Sequence, residues 1–65
     1  MKIWINGSEK RIEKDCRLAK LLVELQVEGR FAVEINGEII PRTNFESRII
    51  RENDRLEVVT AVGGG

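Results

Sequence analysis

The chain has 65 residues, 42% of them hydrophobic, which is enough for one small domain and leaves nothing from which to build a second core. Eleven Lys and Arg balance eleven Asp and Glu, so no net field steers the chain toward DNA or RNA. Cys16 is the only cysteine and there is no histidine, which excludes an internal disulfide and a Cys- or His-based metal cluster.

The opening "MKIWINGSEK" lacks an apolar stretch of signal-peptide length, and nowhere do about 18 apolar residues run together, so the expected location is cytoplasmic. Lys2 to Asn6 and Lys10 to Lys14 alternate as two short strands that place Ile3, Ile5 and Ile12 on one side. Between them, Asn6-Gly7 predicts a tight hairpin, because both residue types tolerate positive φ.

Asp15 is the candidate cap for the following helix, in which Leu18, Leu21, Leu22 and Leu25 form a single apolar stripe. Arg17, Lys20 and Glu24 lie off that stripe, and Gly29 is the expected stop. A helix with one apolar face requires a sheet to cover.

Phe31, Val33 and Ile35 alternate with Ala32, Glu34 and Asn36, after which Asn36-Gly37 repeats the turn signal. A return strand from Glu38 to Ile40 is broken at Pro41. From Arg42 to Asn53 the pattern is irregular, with Phe45, Ile49 and Ile50 as anchors, and "RENDR" turns the chain. Arg55 to Val62 is the last strand, with Leu56 and Val58 on one side and Glu57, Val59 and Ala61 on the other. One helix on one face of a sheet gives a two-layer α+β sandwich.

The sequence then closes on "AVGGG". A glycine tail can enter a narrow channel without a Cβ clash and carry a carboxylate to a reacting phosphate. A carboxylate is a poor electrophile until activated, most simply by attack on the α-phosphate of ATP. The resulting acyl-adenylate is open to sulfur or amine nucleophiles, leaving a thiocarboxylate or an amide on Gly65. No Walker-type loop, histidine base or set of spaced cysteines is present, so the chain is read as a substrate and carrier, not an enzyme.

The segments "INGSEK", "LAKLLVEL", "FAVEINGEIIPR" and "ENDRLEVVTAVGGG" together resemble the ThiS family of ubiquitin-like sulfur carriers in thiamine biosynthesis, across the whole chain. The resemblance implies a β-grasp fold, a mixed sheet with one main helix on one face and the last strand parallel to the first at its centre. It implies a carrier domain at residues 1–62 and a flexible tail at residues 63–65. It also implies that Gly65 is adenylated by a ThiF-like adenylyltransferase using ATP and converted to a thiocarboxylate with sulfur from a donor system. Gly64 is the other member of the terminal pair, Gly63 adds reach, and thiazole synthase receives the sulfur. No cofactor or metal is bound in this reading, and neither nucleic acid nor membrane is a partner.

Relatives often carry threonine at position 16 and glycine at position 53, where this chain has Cys16 and Asn53; Asn53 can still occupy a left-handed turn. Trp4, Val59 and Ala61 fall on the sheet side opposite the helix and form the candidate docking patch. Cys16 is read as a buried structural thiol. Two alternatives share parts of this pattern: a molybdopterin or tungstopterin sulfur carrier or ubiquitin-like modifier, and a β-grasp RNA-binding or regulatory module.

Overall fold

The structure is a computed structural model, and it describes residues 1–60. Five strands and one α-helix follow in the order β1 (Lys2–Ile5), β2 (Ser8–Arg11), α1 (Leu18–Glu24), β3 (Phe31–Ile35), β4 (Glu38–Ile39) and β5 (Arg55–Thr60), with a 3-10 turn at Arg42–Asn44. The sheet order is β2-β1-β5-β3-β4. β1 and β5 run parallel at the centre, and every other pairing is antiparallel. This is the ubiquitin-like β-grasp arrangement, with the helix on one face.

Alternation fixes which face is buried. Ile3, Val33, Ile35 and Leu56 point to the helix side and join Leu18, Leu21, Leu22, Ile40 and Ile50 in one core, with Ile5, Phe31 and Val58 packed at its margin. Burying each of these side chains is worth roughly 2 kcal/mol. That packing sustains a seven-residue helix too short to persist alone.

Both Asn-Gly pairs form two-residue hairpins with positive φ at each central position, Asn6 at 49° and Gly7 at 83°, then Asn36 at 53° and Gly37 at 85°. This is the type I′ geometry whose twist matches antiparallel strands. The first hairpin pairs Ile5 with Ser8, so β2 starts immediately after the turn and ends at Arg11, earlier than the Lys10 to Lys14 alternation predicts. Ile12 still packs against the core from beyond the strand, and its N–H reaches the Met1 carbonyl at 2.9 Å.

The helix ends also differ from expectation. Asp15 does not cap: it sits at φ 62°, in the left-handed region, and Arg17 occupies the N-cap position without a side-chain capping bond. The first helical N–H groups are taken by main chain from the later connector, Leu18 N–H to Arg48 O at 2.8 Å and Ala19 N–H to Phe45 O at 2.9 Å. At the other end Gln26, at φ 59°, stops the helix before Gly29 is reached. Gln26 N–H bonds to Val23 O and Val27 N–H to Leu22 O, a Schellman closure in which Val27 and Leu22 both contribute to the core.

The irregular connector is a strap. Phe45 is half-buried and stacks on Phe31 with ring centroids 5.9 Å apart. Ile50 is buried, whereas Ile49 is exposed, because the extended backbone that bridges to Arg17 turns alternate side chains outward. Asn53 takes φ 68°, the left-handed turn open to it, and β4 stops at Ile39, before Ile40 enters the core.

Candidate functional site

The segment that the sequence singles out as reactive follows β5 in the chain. Gly63, Gly64 and Gly65, together with Ala61 and Val62, lie outside the described residues. The structure does describe how β5 is held. On one side β5 pairs with β3 along its length, from Ile35 opposite Leu56 to Phe31 opposite Thr60. On the other side β1 supplies only the register Trp4 with Arg55 and Ile5 with Leu56.

The start of β5 is built into the interior. Asp54 is buried; its Oδ1 accepts from Asn36 Nδ2 at 2.9 Å and its Oδ2 from the Arg51 N–H at 2.8 Å. Asn36 Oδ1 in turn accepts the Arg55 N–H at 3.0 Å, and Trp4 N–H donates to the Asp54 carbonyl at 2.9 Å. Both carboxylate oxygens of Asp54 therefore have partners, which keeps burial of the group tolerable.

Further along, the Asn6 N–H still reaches Leu56 O at 2.9 Å, but there the main chain turns into the first hairpin. The Asn6 side chain continues the contact. Its Oδ1 accepts the Val58 N–H at 2.8 Å and its Nδ2 donates to the Val58 carbonyl at 3.2 Å. An Ile-Asn-Gly tripeptide thus occurs twice, at residues 5–7 and 35–37, and each asparagine uses its amide to hold β5 at a different point. The sequence signals the turns; it does not signal this second use.

Trp4 and Val59 lie on the open face of the sheet, as alternation predicts. Trp4 is half-buried, lies beside Arg55 and carries the Lys2 ammonium 5.4 Å from its ring centroid. Val59 stands opposite Ala32 and is exposed. Because Val59 is four residues beyond Arg55, the two side chains are separated by about 13 Å along the strand, with Glu57 on the same face between them. Trp4 therefore flanks the beginning of β5 and Val59 its exit.

Beside that exit, on the helix side, Phe31 stacks on Phe45 and the Arg42 guanidinium lies 5.2 Å from the Phe31 ring centroid. Cys16 is buried and its thiol bonds its neighbour's carbonyl at 3.5 Å. Burial pushes the thiol pKa up, Glu24 and Glu13 add to the rise and Lys20 opposes it. A buried, protonated thiol is a poor nucleophile. Among the described residues no group of three or more His, Cys, Asp or Glu is arranged to hold a metal ion, and no helix is long and apolar enough to cross a membrane.

The family model described as "ThiS family" matches residues 3–65. The crystal structure of the thiamine biosynthesis protein ThiS from Geobacter metallireducens superposes with a TM-score of 0.86 at 28% identity, covering all of both chains. A segment of the thiazole synthase of Paramagnetospirillum magneticum is 39% identical over 66 residues; it covers this whole chain and 20% of that protein, so the chain spans about a fifth of that relative. An uncharacterised protein, ycf40, of Pyropia yezoensis is 42% identical over 64 residues, covering 97% of this chain and 90% of its own.

A β-grasp body whose central strand is followed in sequence by a run of glycines defines a small ubiquitin-like sulfur carrier, a class of non-catalytic proteins. The chain belongs to the ThiS family, whose members serve thiamine biosynthesis.

Proposed function

We propose that residues 1–62 are the body of a sulfur carrier and residues 63–65 its reactive tail, with Gly65 as the loading site. The Gly65 carboxylate attacks the α-phosphate of ATP on a ThiF-like adenylyltransferase, pyrophosphate leaves, and an acyl-adenylate forms. Hydrosulfide-level sulfur from a donor system then attacks the acyl carbon, AMP leaves, the sulfur loses its proton, and Gly65 carries a thiocarboxylate for a thiazole synthase. Gly63 and Gly64 let the tail enter a narrow channel, while Trp4, Val59 and Ala61 provide apolar contact for the enzymes it visits.

The observation that carries this reading is a family match running through the glycine tail to residue 65, directly after a strand anchored at the centre of the sheet. The occurrence of a segment resembling this whole chain inside proteins named thiazole synthase supports that class of acceptor over a molybdopterin enzyme.

Intact-mass measurement after incubation with the cognate adenylyltransferase, ATP and a sulfur source tests the proposal. The expected product has one oxygen of Gly65 replaced by sulfur. A protein amidated at Gly65 is expected to remain unloaded; equal loading of amidated and parent protein would end the carrier reading.

A further inference from the structure

We infer that Asn6, beyond forming the first hairpin, is a positioning residue that sets the root of the reactive tail. The inference rests on the carrier reading above. The β1–β5 backbone register ends at Ile5 and Leu56, and β1 must turn away at Asn6 because Asn6-Gly7 closes the hairpin. The next rung on that side of β5 is made by a side chain: the Asn6 amide presents an acceptor to the Val58 N–H and a donor to the Val58 carbonyl, the two bonds that a continuing parallel strand would supply from two successive peptide groups.

Val58 lies two residues before Thr60, the last described residue of β5. Holding it on the β1 side gives the last residues of β5 a second support beyond their pairing with β3. The repeated tripeptide provides an internal control. Asn36 has the same turn geometry but holds Asp54 and Arg55, at the start of the strand and farther along the chain from the glycines. Loosening Asn6 should free the tail root, whereas loosening Asn36 should act on the foundation of β5.

A reactive group delivered on a floppy root spends less time in attack geometry, which lowers turnover without altering how the body docks. Asn6→Gly tests this, since Gly-Gly also forms a type I′ turn and so preserves the hairpin while deleting the amide. Asn6→Asp is the graded variant, retaining an acceptor for the Val58 N–H and losing the donor to its carbonyl. Asn36→Gly is the matched control.

The readouts are amide hydrogen exchange across β5 and steady-state activation by the ThiF-like adenylyltransferase with ATP, with all variants verified as folded. For Asn6→Gly, exchange at Val58 should accelerate about tenfold, the equivalent of one ordinary hydrogen bond, with Arg55 unchanged. kcat for activation should fall roughly three- to tenfold while KM for the carrier stays within about twofold. Asn6→Asp should fall between parent and Asn6→Gly. An unchanged Val58 exchange rate, an unchanged kcat, a change confined to KM, or an equal kcat loss in Asn36→Gly would each overturn the inference. Failure of the parent protein to be activated would instead overturn the carrier reading, and this inference with it.

Discussion

The two ends of β5 are made of one continuous strand yet are built to opposite specifications. At its start Leu56 is 1% exposed, Asp54 is buried with both carboxylate oxygens occupied, and β1 and β3 pair on either side. At its end Val59 is 60% exposed, Thr60 is exposed, and the backbone support from β1 has given way to a single amide side chain. The contrast separates stability from presentation. The first half of the strand is paired by backbone on both sides, whereas the second half is paired by backbone on the β3 side alone and presents an open surface.

The largest expected effect lies at the fastened end. Leu56→Ala should destabilise by about 2–5 kcal/mol through lost burial and a residual cavity, and for so small a domain this is a large share of the total. Val59→Ala, by contrast, should change stability by less than about 0.5 kcal/mol. Urea denaturation of both variants checks the pair; similar losses would erase the distinction drawn here.

Next in size is Asp54→Ala, which deprives the Asn36 amide and the Arg51 N–H of their acceptor and should cost about 1–3 kcal/mol. The same denaturation measurement, repeated in the Asn36→Gly background, should give a smaller loss, since the two side chains share one bond. Additive losses would show that the cluster does not act as a unit.

Trp4→Ala sharpens the comparison on the open face. Trp4 flanks the beginning of β5 but is only half-buried, so the expectation is a loss of about 1–2 kcal/mol in binding to the activating enzyme and a smaller loss in folding. A binding titration beside a denaturation curve measures both, and equal affinity would remove Trp4 from the docking surface.

The smallest effect is a pH dependence in the core. Burial raises the Cys16 thiol above its unfolded value, so the fold favours the protonated form. That contribution is fully present below the unfolded thiol pKa of about 8.5 and is lost as pH rises through it toward the folded value. Stability measured from about pH 7 to about pH 10 should therefore decline more in the parent than in Cys16→Ala. Parallel curves would assign the alkaline loss to other groups.

Much of the body was legible because short-range rules governed it. Leu18, Leu21 and Leu22 went where a helical period sends them, and Asn6-Gly7 and Asn36-Gly37 made the hairpins their backbone freedom allows. The errors fell at element ends. Asp15 has the chemistry of a helix cap, yet the carbonyls of Phe45 and Arg48, close in space but far along the chain, took the role. Gly29 has the chemistry of a helix stop, yet Gln26 stopped the helix because Val27 could then pack on the core.

The candidate docking residues divide in the same manner. Alternation put Trp4 and Val59 on one face, but only the strand register separates them along β5. Likewise the two Ile-Asn-Gly tripeptides are identical as text, and nothing local distinguishes an asparagine that anchors a buried aspartate from one that supports a strand near its exit.

Sequence alone determined the periodic faces, the turn chemistry and the glycine-rich ending, since each depends on the properties of a residue and its immediate neighbours. Tertiary structure decided which main-chain groups cap the helix, which side chain replaces the missing rung on β5, and how far Trp4 stands from Val59. Those outcomes depend on groups brought together by chain crossings: a buried polar group takes whichever partner the packed core delivers to it, regardless of separation along the chain.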